Sequence, residues 1–284
     1  RAVVTRDGTI VIGTIKGGIY GLDASGTLKW HYDMSTMLKN NTVLRLFCDN
    51  NNNVWAAFDS GIALVHSGSP LSLLSNATAP LGMVYDVCFS ADAMYIATNQ
   101  NVVMNNASGM RPVAGTTGQN WHIQRFDHQI VAGNNSGTRI IDGLTSEMIA
   151  YQQNTSSTCM RQYHSESGEN YLIESGYGMF TVYEKRGGRW QFRNTVQGFV
   201  EPVQQFEIDA RGVIWATHLS RGVYRVELSG DLRRAIKVQS YTQLGHDEAN
   251  SQIHVMKIRG DIVLSDGNNL YTPTSSGHFT AVQA

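Results

Sequence analysis

The sequence predicts an all-β fold, a seven-bladed β-propeller with four antiparallel strands per blade, from three features of its 284 residues. Charged residues make up only 16%, against roughly 25% in a typical soluble domain, while 28 glycines exceed the usual share of about 7%. Few charges and many glycines point to short strands and tight turns. A strand–turn–strand unit also recurs along the chain at nearly even spacing. Finally, no window keeps a 3.6-residue apolar period beyond Met34 to Asn41, where one or two helical turns are expected.

The clearest unit runs Asp7-Gly8-Thr9-Ile10-Val11-Ile12, then Gly17-Gly18-Ile19-Tyr20, then Gly26-Thr27-Leu28-Lys29-Trp30. It returns as Asp209 to Thr217 with Arg221-Gly222-Val223-Tyr224 and Gly230-Asp231-Leu232, and again as Asp49 to Ala57 with Ser60-Gly61-Ile62. Weaker copies stand at Ala91 to Thr98, Gln129 to Gly133, Asn170 to Ile173 and Gly260 to Leu264. Aligning Ile12, Trp55, Ile96, Val131, Leu172, Trp215 and Val263 gives spacings of 43, 41, 35, 41, 43 and 48 residues. That mean matches the ~40–45 residues of a four-stranded blade. The blades are expected at 1–35, 43–76, 84–115, 121–152, 159–197, 203–241 and 252–284, as one closed propeller cut from a longer chain.

Local chemistry accounts for each piece of the unit. In the sixth, the strands are expected at Val203–Ile208, Val213–Thr217, Gly222–Glu227 and Leu232–Val238. The Asp that follows a first strand folds its carboxylate back onto backbone amides, and the nearby Gly accepts positive φ. Gly18, Gly61, Gly137, Gly178 and Gly222 open third strands, where a missing side chain permits close backbone approach. The chain begins on a first strand and stops near a fourth, so closure is expected to rest on blade packing rather than on a swapped strand.

Several functions are disfavoured by composition and spacing. A net charge of -1 and the lack of a basic run leave no footprint for nucleic acid. The longest apolar runs, such as Leu71 to Leu74, fall far short of the roughly 18 residues of a helical membrane span. Cys48, Cys88 and Cys159 form no CxxC pair, and the nine histidines include no HxH or HExxH, so neither metal nor cofactor is expected. There is no GxSxG nucleophile elbow or phosphate-binding loop. Asp7, Asp49 and Asp209 belong to separate units and are read as turn formers rather than as the paired carboxylates of a glycosidase.

The repeat, written out as Asp, two or three residues, Gly, aliphatic, Trp, a small pair, then Gly-aliphatic-Tyr, resembles the two-component regulator propeller repeat. Asp209 to Val226 matches it best, followed by Asp7 to Asp23 and Asp49 to Val65, the last with Asn where the family prefers Gly. The resemblance implies a periplasmic sensor propeller of a hybrid two-component system or one-component regulator, responding to glycan fragments. It also implies partners: an oligosaccharide ligand, a second propeller and triple-tyrosine domain of the same receptor, and a homodimer. A single unit, Gly21 to Trp30, is similar instead to the quinoprotein-type repeat of protein-interaction propellers, in which the Trp packs between blades.

Loops that join fourth to first and second to third strands converge on one face of such a fold, and recognition concentrates there. These loops are expected to carry Lys16, Asp59, Trp121, His122, Arg161, Tyr177, His218 and Arg221. An aromatic face suits a sugar ring, and Arg, His and Asp suit its hydroxyls. Trp121-His122 is the strongest pair. The run Arg161-Gln162-Tyr163-His164 carries residue types used by propeller lyases, with Arg161 and Tyr163 on one strand face and Gln162 and His164 on the other. The candidate ligand residues are therefore Trp121, His122, Arg161, Tyr163, Tyr177, His218 and Arg221, with no catalytic residue.

Overall fold

The computed structural model describes residues 1–36, 38–66, 74, 81–151, 157–165, 167–245, 252–274 and 278–282. Among them there is no helix. The chain forms two compact units, Arg1–Leu81 and Gly82–Ala284. In the first unit, one sheet holds β1 (Ala2–Val4), β2 (Ile10–Gly13), β3 (Ile19–Leu22) and β4 (Leu28–Tyr32). A second sheet holds β5 (Val43–Cys48), β6 (Val54–Phe58) and β7 (Ile62–Val65). The stretch expected to supply its fourth strand, to residue 76, lies outside the described residues except for Leu74.

The second unit holds five four-stranded sheets. They are β8 (Val84–Phe89), β9 (Met94–Thr98), β10 (Val102–Asn106) and β11 (Gly109–Pro112); β12 (Asn120–Phe126), β13 (Gln129–Asn134), β14 (Gly137–Asp142) and β15 (Thr145–Tyr151); and β16 (Cys159–His164), β17 (Asn170–Ser175), β18 (Phe180–Arg186) and β19 (Arg189–Thr195). The last two are β20 (Gln205–Ile208), β21 (Ile214–Thr217), β22 (Val223–Leu228) and β23 (Ala235–Tyr241), then β24 (His254–Ile258), β25 (Asp261–Ser265), β26 (Leu270–Pro273) and β27 (Phe279–Ala281). In every sheet, sequence neighbours pair antiparallel, the meander of a propeller blade. The fold is the seven-bladed β-propeller.

The first hairpin of each unit folds as its side chains dictate. Asp209 Oδ1 accepts the amides of Arg211 and Val213, both at 2.9 Å, and Asp49 Oδ1 accepts those of Asn51 and Asn53 at the same distance. Gly212 occupies the left-handed region at φ 79°, and Asn52 takes the equivalent place at φ 67°. Asn tolerates that region better than most side chains, which explains how the Asn-rich unit keeps the turn without Gly. Met34 to Asn41, by contrast, shows no helix in its described part. Asp33 Oδ1 accepts the amides of Ser35 and Thr36 at 2.8 and 3.1 Å, giving the backbone a local alternative to helix.

In the second unit the second strands are buried on both faces, with alternate residues serving alternate neighbours. On β13, Ile130 and Ala132 pack with the sheet before, while Val131 packs with Met160, Leu172 and Trp190 of the sheet after. On β21, Ile214 and Ala216 join Phe180 and Phe206, and Trp215 joins Val255 and Leu264. Each fully buried Leu, Ile or Phe contributes roughly 1.5–3 kcal/mol. The first unit repeats the scheme on a smaller scale, with Val11 and Ile19 against Val43, Val54 and Ala56. Trp30, the residue of the quinoprotein-like unit, lies across Gly21 of its own sheet.

Gly222 has φ 77°, and a Cβ there would overlap the Tyr241 carbonyl oxygen; Gly18 stands in the same relation to Tyr32. Gly222→Ala is expected to cost at least about 2 kcal/mol in urea unfolding, whereas Gly230→Ala, with open space around it, stays within about 0.5 kcal/mol. Turn hydrogen bonds, led by the Asn53 amide, hold the Asp49 carboxyl below its ordinary 3.8. The Ser25 hydroxyl leads the same effect on Asp23, and the Ser229 hydroxyl on Asp231. A carboxyl depressed by folding adds stability above its unfolded pKa and loses it as pH falls through the folded value. The melting temperature by circular dichroism is thus expected to fall below about pH 4, and an unchanged value there would contradict this account.

Candidate functional site

A cavity of about 510 Å³ opens in the second unit where first strands of successive sheets stand side by side. Trp121, His122, Arg161 and Tyr177 line it. Trp121, His122 and Arg161 lie on first strands rather than in loops, because pairing with the second strands already begins at Asn120 and Cys159. Tyr177 sits in the loop between β17 and β18, half-exposed at the rim. The other three candidates are placed elsewhere. Tyr163 packs among the apolar residues between sheets β16–β19 and β20–β23, its ring against Gly212. His218 and Arg221 face Glu201 at 3.9 and 3.1 Å. Lys16 and Asp59 belong to the first unit, and the cavity's lining comes wholly from the second.

Two further lining residues, Tyr85 and Asp86, were not anticipated. Tyr85 and Trp121 share an origin. Val84 pairs with Thr98 and Asp86 with Ala97, leaving Tyr85 as the extra residue of a β-bulge. Asn120 pairs with Asn134 and His122 with Gly133, leaving Trp121 as the extra residue of another. A bulge re-aims the side chain it carries, so two successive first strands deliver two aromatics to one place. Their rings lie 4.8 Å apart at 36°. Trp121 Nε1 donates to Asn135 Oδ1 at 2.7 Å, Asn135 Nδ2 to Gln119 Oε1 at 3.2 Å, and Gln119 Nε2 to the Tyr85 hydroxyl at 3.3 Å. That closed circuit holds both rings in place.

The charged groups are already engaged. Arg161 Nε and Nη2 lie 2.8 and 2.7 Å from Glu207 Oε1, and Nη1 donates to the Met160 carbonyl at 2.8 Å. Asp86 accepts the amides of Val87 and Ile123 at 2.8 and 2.9 Å, tying β8 to β12. Burial pushes the Cys159 thiol up, which keeps it protonated and a poor nucleophile. Among the described residues, no group of three or more His, Cys, Asp or Glu is arranged to hold a metal.

Behind the cavity wall lies a buried polar cluster. Glu174, 1% exposed, accepts from the hydroxyls of Ser157, Thr138 and Tyr183, the last two at 2.6 and 2.5 Å. His122 Nε2 lies 2.8 Å from Ser157 Oγ and 3.4 Å from Glu174 Oε1. Gly133 makes this possible, since a Cβ there would collide with both Ser157 Oγ and His122 Nε2. Serine, histidine and a carboxylate invite comparison with a hydrolytic triad, but the geometry differs. In a triad the acid orients the imidazole through the nitrogen remote from serine. Here Ser157 and Glu174 share Nε2, and Ser157 is 1% exposed. The cluster is a structural knot that joins sheets β12–β15 and β16–β19. The lyase-like run is likewise dispersed, because His164 points away from Arg161 and bonds Asn170 Oδ1 at 2.5 Å on an exposed hairpin.

No protein-family model matches the sequence, and no curated protein matches it. Solved structures do share its fold. The extracellular domain of a protein described as a hybrid two component system, from B. thetaiotaomicron, is similar over 100% of this chain and 40% of its own, with 14% identity and a TM-score of 0.69. That of a protein described as a one component system, from the same organism, is similar over 100% and 43%, with 14% identity and a TM-score of 0.58. The Dos1 propeller matches over 97% and 73%, with 12% identity and a TM-score of 0.55. The chain therefore spans about two fifths of the length of the two bacterial domains, and at these identities the likeness is one of fold.

Glu174→Ala would strand three buried hydroxyls and is expected to cost roughly 3 kcal/mol or more in urea unfolding, with Glu174→Gln milder because its amide oxygen still accepts. Equal stability of Glu174→Ala and the parent would show that the knot is not structural.

Proposed function

We propose that this chain is an extracytoplasmic, periplasmic ligand-sensing propeller of a bacterial signalling receptor. It responds to glycan fragments and thereby controls transcription of polysaccharide-utilisation genes. The observation that carries the reading is the preset Tyr85–Trp121 pair on the wall of a cavity that also carries amides and charged groups. An aromatic face held by hydrogen bonds at its edge loses little freedom when a sugar ring stacks on it, and the amides, His122 and Arg161 around it suit hydroxyls. The role in signalling is carried over from the two bacterial extracellular domains of the same fold.

The propeller itself has no catalytic task in this reading, and of the lyase-like run only Arg161 lines the cavity, Tyr163 and His164 lying elsewhere. A second propeller and a triple-tyrosine domain are assigned to the rest of the receptor. Binding favours one arrangement of propellers or protomers, and a following domain carries that population shift to the membrane. Titration calorimetry against a panel of plant and host oligosaccharides should yield saturable binding without product release. Trp121→Ala should reduce that affinity at least about tenfold with an unchanged circular dichroism spectrum. Binding unaffected by the substitution would remove the cavity from the proposal.

A further inference from the structure

The geometry points to a neutral, hydroxyl-rich sugar as the cavity's ligand and to exclusion of uronate and sulfated sugars. This inference rests on the reading of the cavity as a glycan site. Arg161 is the one Arg or Lys among its lining residues, and a ligand carboxylate would have to find its charge there. That charge is taken. Glu207 receives two of the guanidinium nitrogens and the Met160 carbonyl the third. Asp86 adds a second carboxylate, this one on the lining itself, close enough to act on Arg161 through its charge. Two carboxylates against one guanidinium leave this part of the wall negative, and an arriving anion meets repulsion that salt can screen.

The unpaired groups are neutral. Gln124 and Gln204 line the cavity and make no side-chain hydrogen bond among the described residues, and an amide serves a hydroxyl as donor and acceptor. His122, also on the lining, is fixed by the polar cluster behind it. Ser157 has one hydroxyl hydrogen, and Glu174 receives it. The contact between Ser157 Oγ and His122 Nε2 then requires the hydrogen on Nε2. In the neutral imidazole this leaves Nδ1 as an acceptor, and Nδ1 is buried without a partner in the protein, on a residue that is 4% exposed and lines the cavity. That nitrogen is closed to solvent, so selection between neutral and acidic sugars falls to the carboxylates and the amides.

The test is titration calorimetry of the whole chain with two sets of hexasaccharides. The neutral set comprises xylo-, arabino-, galacto- and mannohexaose; the acidic set comprises hexagalacturonate and a chondroitin sulfate hexasaccharide. A neutral member is expected to bind at least about tenfold more tightly than either acidic one. Residual acidic binding should strengthen as salt rises, the signature of screened repulsion, and Glu207→Gln should narrow the neutral-to-acidic ratio by freeing Arg161. The salt series needs no variant and stands even if the substitution fails to fold. Acidic binding equal to or tighter than neutral, weakened by salt and lost in Trp121→Ala, would overturn the charge inference while leaving the cavity as the site. Failure of both sets to bind would overturn this inference together with the glycan reading beneath it.

Discussion

A strand buried on both of its faces cannot be satisfied by one sheet. Second strands such as β13 and β21 send alternate residues to opposite sides, so each needs a packed neighbour before and behind. The apolar run Ile130-Val131-Ala132 and the repeat core Ile214-Trp215-Ala216 are stable only in that setting. This demand sets the succession of sheets in the second unit. It also brings first strands side by side, and the cavity forms where they meet.

The cavity's aromatic wall comes from places where that regularity is broken. One extra residue in β8 and one in β12 shift Tyr85 and Trp121 out of the ladder. Their rings are held by a hydrogen-bond circuit through Asn135 and Gln119, so the platform depends on three amide and hydroxyl contacts beyond the aromatic pair. Gly133 matters for a related reason, because its bare backbone admits the His122–Ser157–Glu174 knot behind the wall. A regular scaffold with local irregularities can bring side chains into a cavity without breaking the sheets that carry them.

How much of this was legible can be judged from particular residues. The turns were, because Asp49 and Asp209 fold onto amides two and four positions ahead, a purely local event. Gly18 and Gly222 were as well, since their position in the unit foretold a close backbone neighbour. Trp121, His122, Arg161 and Tyr177 were reached by repeat position and residue type, and they do share a cavity. Tyr85 and Asp86 were not. The available signal was an aromatic one residue before the start of regular pairing in two successive units, but a bulge leaves no spacing that distinguishes it from an ordinary strand entry. Tyr163 lies apart from the cavity: an aromatic beside an arginine suggested chemistry, and the structure packs its ring among apolar residues against Gly212.

By itself, the sequence determined the strand period, the hairpin turns and the number of repeats, because alternation, Asx turns and positive-φ residues act within a few positions of one another. Only the tertiary structure decided which polar groups are spent and which are left over. Arg161 reads as a free cation along the chain, yet Glu207, forty-six positions away, neutralises it. His122 reads as a surface ligand, yet Ser157 and Glu174 claim one of its nitrogens and leave the other unpaired. Charge and hydrogen-bond balance are sums over neighbours in space, and those neighbours come from different sheets.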